Sequence, residues 1–163
     1  GGEIDRAKYD FITGTTLYIK AQERALKYLS YRQRSAFEIR GKLLSEDFSA
    51  DVIEKVIGFL KDYGYVDDLK YSVSYINDCL NFNPKGKRLI EWELKNRGID
   101  RDNISKALCE VSFDELFYAK RLLAKKYGKL QKEDMSEEKM YQYLSRRGYD
   151  FETIKEAISE FTE

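Results

Sequence analysis

The adjacent acids Asp67-Asp68 are the sharpest arrangement in this chain that could do chemistry. Two carboxylates side by side can hold a magnesium ion, or split their pKa values so that one gives a proton while the other takes it. Nothing around them completes such a site. The chain has no histidine, which removes the usual general base, the Ser-His pair and the commonest zinc ligand. There is no glycine-rich phosphate loop, and neither Cys79 nor Cys109 has the companions of a zinc site. The acid pair follows Gly64-Tyr65-Val66 and precedes a helical stretch from Leu69, where a carboxylate caps a helix and complements its dipole. The expectation is a cap, with no catalytic residue, no cofactor and no enzymatic activity. Both cysteines lie on apolar helical spacing and are expected to be reduced core residues.

The remaining chemistry is cationic. Lys plus Arg and Asp plus Glu both number 29 and cancel, so the whole chain exerts no long-range pull on nucleic acid. Distribution matters more than the sum. Residues 120–132 carry Lys120, Arg121, Lys125, Lys126, Lys129 and Lys132 without an acid among them. Residues 84–98 set Lys85, Lys87, Arg88, Lys95 and Arg97 against Glu91 and Glu93. Arg146-Arg147 stands before Gly148, while Arg32, Arg34, Arg40 and Lys42 occupy comparable ground earlier in the chain. Late in a helix a cation is favoured by the dipole whatever the function, which is the ordinary account of Arg97, Arg146 and Arg147. Arg32, Arg34, Lys87 and Arg88 precede or open helices, where positive charge is unfavourable; that placement points to phosphates or to acidic groups on a protein.

Thirteen tyrosines and nine phenylalanines raise the question of stacking platforms. Phe48, Phe59, Phe117, Tyr127, Tyr149 and Phe161 fall at core spacing and are expected to pack, whereas Tyr31 lies off the apolar stripe and is expected to be exposed. Trp92 follows Ile90 by two residues and need not share its face.

The elements that must position these groups form a repeat. Leu43, Leu94 and Leu144 are each followed after five residues by a large apolar residue (Phe48, Ile99, Tyr149) and after five more by an isoleucine (Ile53, Ile104, Ile154). The register extends backwards to Ile39, Ile90 and Met140 and to the helix starters Ser35, Gly86 and Ser136, and forwards to Ile57, Leu108 and Ile158. Apolar residues four apart before each leucine predict a helix, opened in the first unit by a Ser35/Glu38 capping box. Gly98 and Gly148 end it in a left-handed turn, with Asp47 a second-best choice at the matching position. Ser49, Asp100 and Asp150 then cap the next helix. One further helix precedes each pair, on Ala25, Leu26 and Leu29, on Leu69, Val73, Ile76 and Leu80, and on Leu116, Ala119, Leu123 and Tyr127. Pro84 sits between helices. No alternation long enough for a strand occurs; residues 15–19 alternate but are too short to assign.

The expectation is therefore an all-α protein of three tandem three-helix repeats, an elongated or bent array, monomeric by default. Its parts are an N-terminal segment (1–20) and repeats over 21–66, 67–112 and 113–163. Of the 163 residues 36% are charged and 42% hydrophobic, which suits a polar array of small cores better than one globule. Gly1-Gly2 without a methionine reads as a cloning scar, and with no long apolar run or signal-peptide pattern a cytoplasmic protein is expected, with no membrane contact.

Arg32-Gln33-Arg34-Ser35 with Glu38, Ile39, Lys42 and Leu43, then Gly64-Tyr65-Val66-Asp67-Asp68, then Gly86-Lys87-Arg88-Leu89-Ile90 with Glu93, Leu94, Arg97, Gly98 and Ile99, resemble in content and order the bacterial RecX family of recombination regulators. The resemblance covers nearly all of residues 26–161 and is weakest in the third repeat; Asp47 replaces the expected turn glycine, and residues 3–20 carry no family motif. It implies a non-enzymatic modulator of RecA that lies along the groove of the RecA filament on single-stranded DNA and hinders filament growth, ATP turnover and strand exchange. A long repeat surface suits a helical groove. Two other readings stand beside it. Helix, glycine turn, helix is also the outline of a duplex-reading helix-turn-helix, but the segments 51–62 and 150–160 mix acids with bases, leaving weak non-specific binding to DNA through residues 120–132. A scaffold for some other protein is the third reading and predicts no dependence on RecA or DNA.

Overall fold

A computed structural model describes residues 2–163, except for the side chains of residues 4 and 132; the predicted contribution of Lys132 therefore lies outside the described residues. Among these residues every regular element is helical: α1 (Gly2–Tyr31), α2 (Ala36–Ser45), α3 (Ala50–Asp62), α4 (Asp68–Phe82), α5 (Lys87–Asn96), α6 (Arg101–Val111), α7 (Glu115–Tyr127), α8 (Glu137–Arg146) and α9 (Phe151–Thr162), with a 3₁₀ turn at Lys132–Asp134. The chain forms two compact units, residues 1–71 with Arg97–Ile99, and residues 72–96 with Asp100–Glu163. Residues 15–19 are helical, inside α1, as are the other residues from 2 to 20. Thr15 and Thr16 turn their hydroxyls onto the carbonyls of Phe11 and Ile12, each at 2.9 Å, the back-bonding that lets such residues sit in a helix.

The repeat register is the core. Ile39, Ile90 and Met140, and Leu43, Leu94 and Leu144, are completely buried, and Ile99, Tyr149, Ile53, Ile104 and Ile154 nearly so. Each such aliphatic side chain withdrawn from water contributes about 1.5–3 kcal/mol before entropy is counted. In the first unit α1 joins through Ala21 and Ala25, small residues that let it lie close to α2 and α3. In the second, Ala119, Leu122, Leu123 and Tyr127 of α7 pack on α8 and α9. Two expectations fail. Cys79 is buried but Cys109 is exposed, because α6 buries Ile104 and Ala107 and residue 109 falls off that stripe. Phe117 is 56% exposed, since α7 turns Ala119 and Leu123 inward instead.

The caps are as the residue types predict. Ser35 accepts from the Glu38 amide while Glu38 accepts from the Ser35 amide at 3.0 Å. Ser49, Asp100, Ser136 and Asp150 accept from the amides three residues on. Asp47, Gly98 and Gly148 all have positive φ, at 64°, 75° and 87°. The acid pair divides its work. Asp67 Oδ1 takes the Lys70 amide of its own helix at 3.0 Å, while Asp68 Oδ1 takes the Ala36 amide of the preceding repeat at 3.0 Å.

That second bond recurs. Asp114 caps α7, and its neighbour Glu115 accepts from the Lys87 amide at 2.8 Å. Ala36 and Lys87 are the first residues of α2 and α5, and their amides have no partner within the helix. A second bond completes each joint: Ser35 Oγ donates to the Arg97 carbonyl at 3.0 Å, and the Gly86 amide donates to the Arg147 carbonyl at 2.8 Å. The chains approach so closely that a methyl group on Gly148 would lie 2.3 Å from Leu89 Cβ, and one on Gly98 2.2 Å from Phe37 Cγ. Gly148→Ala, with both the clash and a positive φ against it, should lower stability by about 2 kcal/mol. Asp47→Gly, which relieves only the φ, should raise it by about 0.5–1 kcal/mol. Urea unfolding midpoints check both.

Candidate functional site

No group of three or more acidic, histidine or cysteine side chains able to hold a metal exists among the described residues. What the fold presents instead is cations against aromatic rings, in both units. In the first unit Arg24, Lys27, Arg34 and Lys42 surround Tyr28 and Tyr31 in a pocket of 360 Å³ formed by α1, the turn after it and α2. Arg34 lies over the Tyr28 ring at 4.0 Å and Lys42 at 5.8 Å. The stack offsets part of the cost at Arg34 Nε, which is buried without a hydrogen-bond partner. Tyr31 stands 72% exposed at the rim, as its position off the stripe predicts. Arg24 and Lys27 complete the pocket and are not among the expected site residues; their place in the register, two turns and one turn before Tyr31, is the available signal.

Within the second unit Tyr143 is held between Lys126, 3.9 Å from its centroid, and Arg147, at 5.0 Å. Tyr127 meets Tyr143 edge-on at 6.2 Å. Arg147 is anchored by its bonds to Asn83 Oδ1 at 2.5 Å and the Pro84 carbonyl at 3.4 Å. The indole of Trp92 is also exposed.

The other predicted cations separate into engaged and open. The acidic groups that Arg32 and Arg34 meet belong to this chain: both face Glu38, at 2.6 and 3.9 Å. Lys42 pairs with Glu46 at 3.2 Å, and Lys85 with Glu93 at 2.7 Å. Glu93 also takes the Tyr75 hydroxyl, and burial, then that bond, pushes the phenol far above its ordinary range. Lys120 pairs with Glu160, and Arg97 donates to the Tyr71 hydroxyl at 2.8 Å. Lys87 lies over the Phe113 ring at 5.5 Å. Arg146 bonds the Gln142 carbonyl of its own helix, at 3.3 Å. Arg88, Lys95, Arg121 and Lys125 are exposed and have no carboxylate within ion-pair distance among the described residues. The charges of Arg88 and Lys87 do reach Asp150, adding to the Thr153 amide bond that chiefly lowers its carboxyl.

A chain of this kind is a tandem three-helix repeat protein whose exposed chemistry is guanidinium, ammonium and aromatic ring, the equipment of a binding protein. Models of the first, second and third three-helix domains of RecX match residues 21–60, 67–108 and 114–158. Regulatory protein RecX of Clostridioides difficile (strain 630) is 37% identical over 163 residues, covering 98% of this chain and 76% of the relative. Regulatory protein RecX of Bacillus subtilis (strain 168) is 34% identical over 146 residues, 86% of this chain and 54% of the relative. The crystal structure of RecX from Lactobacillus salivarius superposes with a TM-score of 0.77 at 28% identity, over 90% of this chain and 97% of that one. The chain belongs to the RecX family, whose members are named regulatory proteins. No helix among the described residues is long and apolar enough to cross a membrane.

The cluster that closes the pocket of the first unit is pH-sensitive on one side only. Hydrogen bonds from Arg24, at 2.8 and 2.5 Å, with further help from Lys42, hold the Glu46 carboxyl down from 4.5 to about 2. A carboxyl lowered by folding stabilises the fold above its unfolded pKa and loses that contribution as pH falls through the folded one. The stability of the wild type relative to Glu46→Gln should be constant above about pH 5, shrink as pH falls towards about 2, and vanish only below it. Thermal melting of both proteins across that range is the measurement.

Proposed function

We propose that this chain acts on the RecA filament assembled on single-stranded DNA and restrains filament growth, ATP hydrolysis and strand exchange without chemistry of its own, as a monomer in the bacterial cytoplasm. Family membership supports RecA as the target. The observation that carries the contact surface is the set of exposed cations without a carboxylate: Arg88, Lys95, Arg121 and Lys125. Side chains in that state have no internal bond to give up, so an acidic or phosphate partner gains the whole interaction. Lys87, Lys126 and Arg146 flank them in sequence with heads turned to rings or to a helix carbonyl. Arg32, Arg34, Lys42, Lys85, Arg97, Lys120 and Arg147 contribute by holding the surface in shape as well as by charge, since each has a partner within the chain. Direct binding to bare DNA is weak in this reading, because the total charge is zero.

Titration of this protein into the cognate RecA hydrolysing ATP on single-stranded DNA, at fixed salt, tests the proposal. Inhibition is expected at concentrations at least roughly tenfold below those that shift bare DNA. Equal concentrations for the two effects, or no inhibition, would return the protein to the DNA-binding or scaffold readings. Arg88→Glu combined with Lys125→Glu should raise the inhibitory concentration by roughly tenfold or more with an unchanged melting temperature. If the double variant inhibits as well as the wild type, those cations are not the contact.

A further inference from the structure

α1 and α3 leave an open groove of 730 Å³ in the first unit, away from the pocket of cations described above. Its walls are the rings of Phe11, Tyr18, Phe59 and Tyr63, of which Phe11 is 75% and Tyr63 71% exposed. Phe59 and Tyr63 already lie against one another at 4.7 Å, so the α3 wall presents one continuous ring surface. Rings grouped in a concave surface and left to water mark a place where apolar groups dock.

The floor adds a second observation. Gly14 of α1 and Gly58 of α3 line the groove from its two helices. Glycine inside a helix costs about 1 kcal/mol relative to alanine, and is ordinarily kept because something must come close to the backbone. Nothing among the described residues does. A methyl group built on either residue would meet no atom within 4 Å. That space is open to a neighbour from outside the described residues.

Charge at the rim selects that neighbour. Asp10 and Asp62 flank the groove and only Lys55 opposes them. Neither acid is in an ion pair among the described residues. Nucleic acid would meet two carboxylates here, and a purely apolar ligand would leave them unanswered.

We propose that this groove takes a short amphipathic helix of a partner protein, its apolar side chains seated on the four rings and its Lys or Arg residues reaching Asp10 and Asp62. The groove follows α1 over residues 10–18, roughly 12 Å, enough for two turns of a bound helix presenting residues at i, i+3, i+4 and i+7. This site is separate from the proposed filament contacts, so either can fail without the other.

The probes are two helical peptides of about 15 residues with the same leucine stripe, one flanked by lysines and the other by glutamates, titrated into the full chain. Amide shifts at Gly14 and Gly58 report position, and affinities report selectivity. The lysine-flanked peptide should bind roughly tenfold more tightly than its twin and move both glycine amides. Gly58→Leu fills the groove and should cost roughly tenfold in affinity with an unchanged or higher melting temperature. Asp10→Lys with Asp62→Lys, which leaves the glycines intact, should reverse the preference between the peptides. Equal affinities, no movement at Gly14 and Gly58, or undiminished binding to Gly58→Leu would overturn the proposal. So would sedimentation showing that the wild type self-associates and Gly58→Leu does not, which would make a second copy of this chain the occupant.

Discussion

The first amides of α2 and α5, the middle helices of the first two repeats, have no acceptor in their own helices, and the next repeat supplies one to each. For Ala36 the acceptor is Asp68, for Lys87 it is Glu115; both carboxylates open the first helix of the following repeat. A free helix could leave this donor to water. Once the helix end is covered by a neighbouring repeat, water is gone and an unanswered amide costs about 1–3 kcal/mol. The carboxylate therefore has to be there whenever two repeats meet, and it brings a negative charge to the positive end of the helix dipole. The second bond, from Ser35 Oγ or the Gly86 amide to the carbonyl before the turn glycine, then restricts rotation about the first.

The same helix starts explain the fate of the early arginines. Arg32 and Arg34 stand where a cation meets an unfavourable dipole, and Glu38 answers both while also closing the capping box. Burial alone would raise the Glu38 carboxyl; the bonds from Arg32 and the Ser35 amide and the two arginine charges together hold it below its usual range. One carboxylate thus stabilises a helix terminus and neutralises two guanidiniums. In the second repeat the position equivalent to Glu38 is Leu89, and the acids near Lys87 and Arg88, Glu115 and Asp150, make no ion pair with their side chains among the described residues. That difference leaves Arg88 exposed and Lys87 resting on a ring.

What could be read from the sequence was whatever is local. The helix-turn-helix register, the caps at Ser35, Ser49, Asp100, Ser136 and Asp150, and the left-handed turn positions depend on residues within one turn of each other, and spacing carries them. The full length of α1 was not readable, because Phe11, Ile12, Leu17 and Ile19 are exposed and so their pattern does not mark a buried stripe. Cys109 and Phe117 were misplaced because an apolar residue near a periodic position is ambiguous by one step around the helix, and only the packed neighbour decides. The site divides in the same way. Candidate cations are visible as a run of charge, but their separation into engaged and open depends on partners up to 64 residues away, as with Arg147 and the amide oxygen of Asn83. Asp114-Glu115 went unremarked although it repeats the arrangement of Asp67-Asp68; the division of labour within such a pair has no one-dimensional signature.

Asp47 shows why one rule of the repeat is relaxed. Backbone geometry asks the same of all three turns, a positive φ, and asparagine or aspartate can supply it at a modest cost. Gly98 and Gly148 answer a further demand, since the Phe37 ring and the Leu89 backbone lie where their Cβ would be. The turn of the first repeat is exposed at Asp47, and the carbonyl before it, that of Glu46, accepts no such bond from another repeat among the described residues. There only the φ has to be met, so a side chain is tolerated. Glycine in this array therefore records two constraints that a sequence cannot separate: conformation, required at every turn, and contact, required where a preceding repeat packs against it.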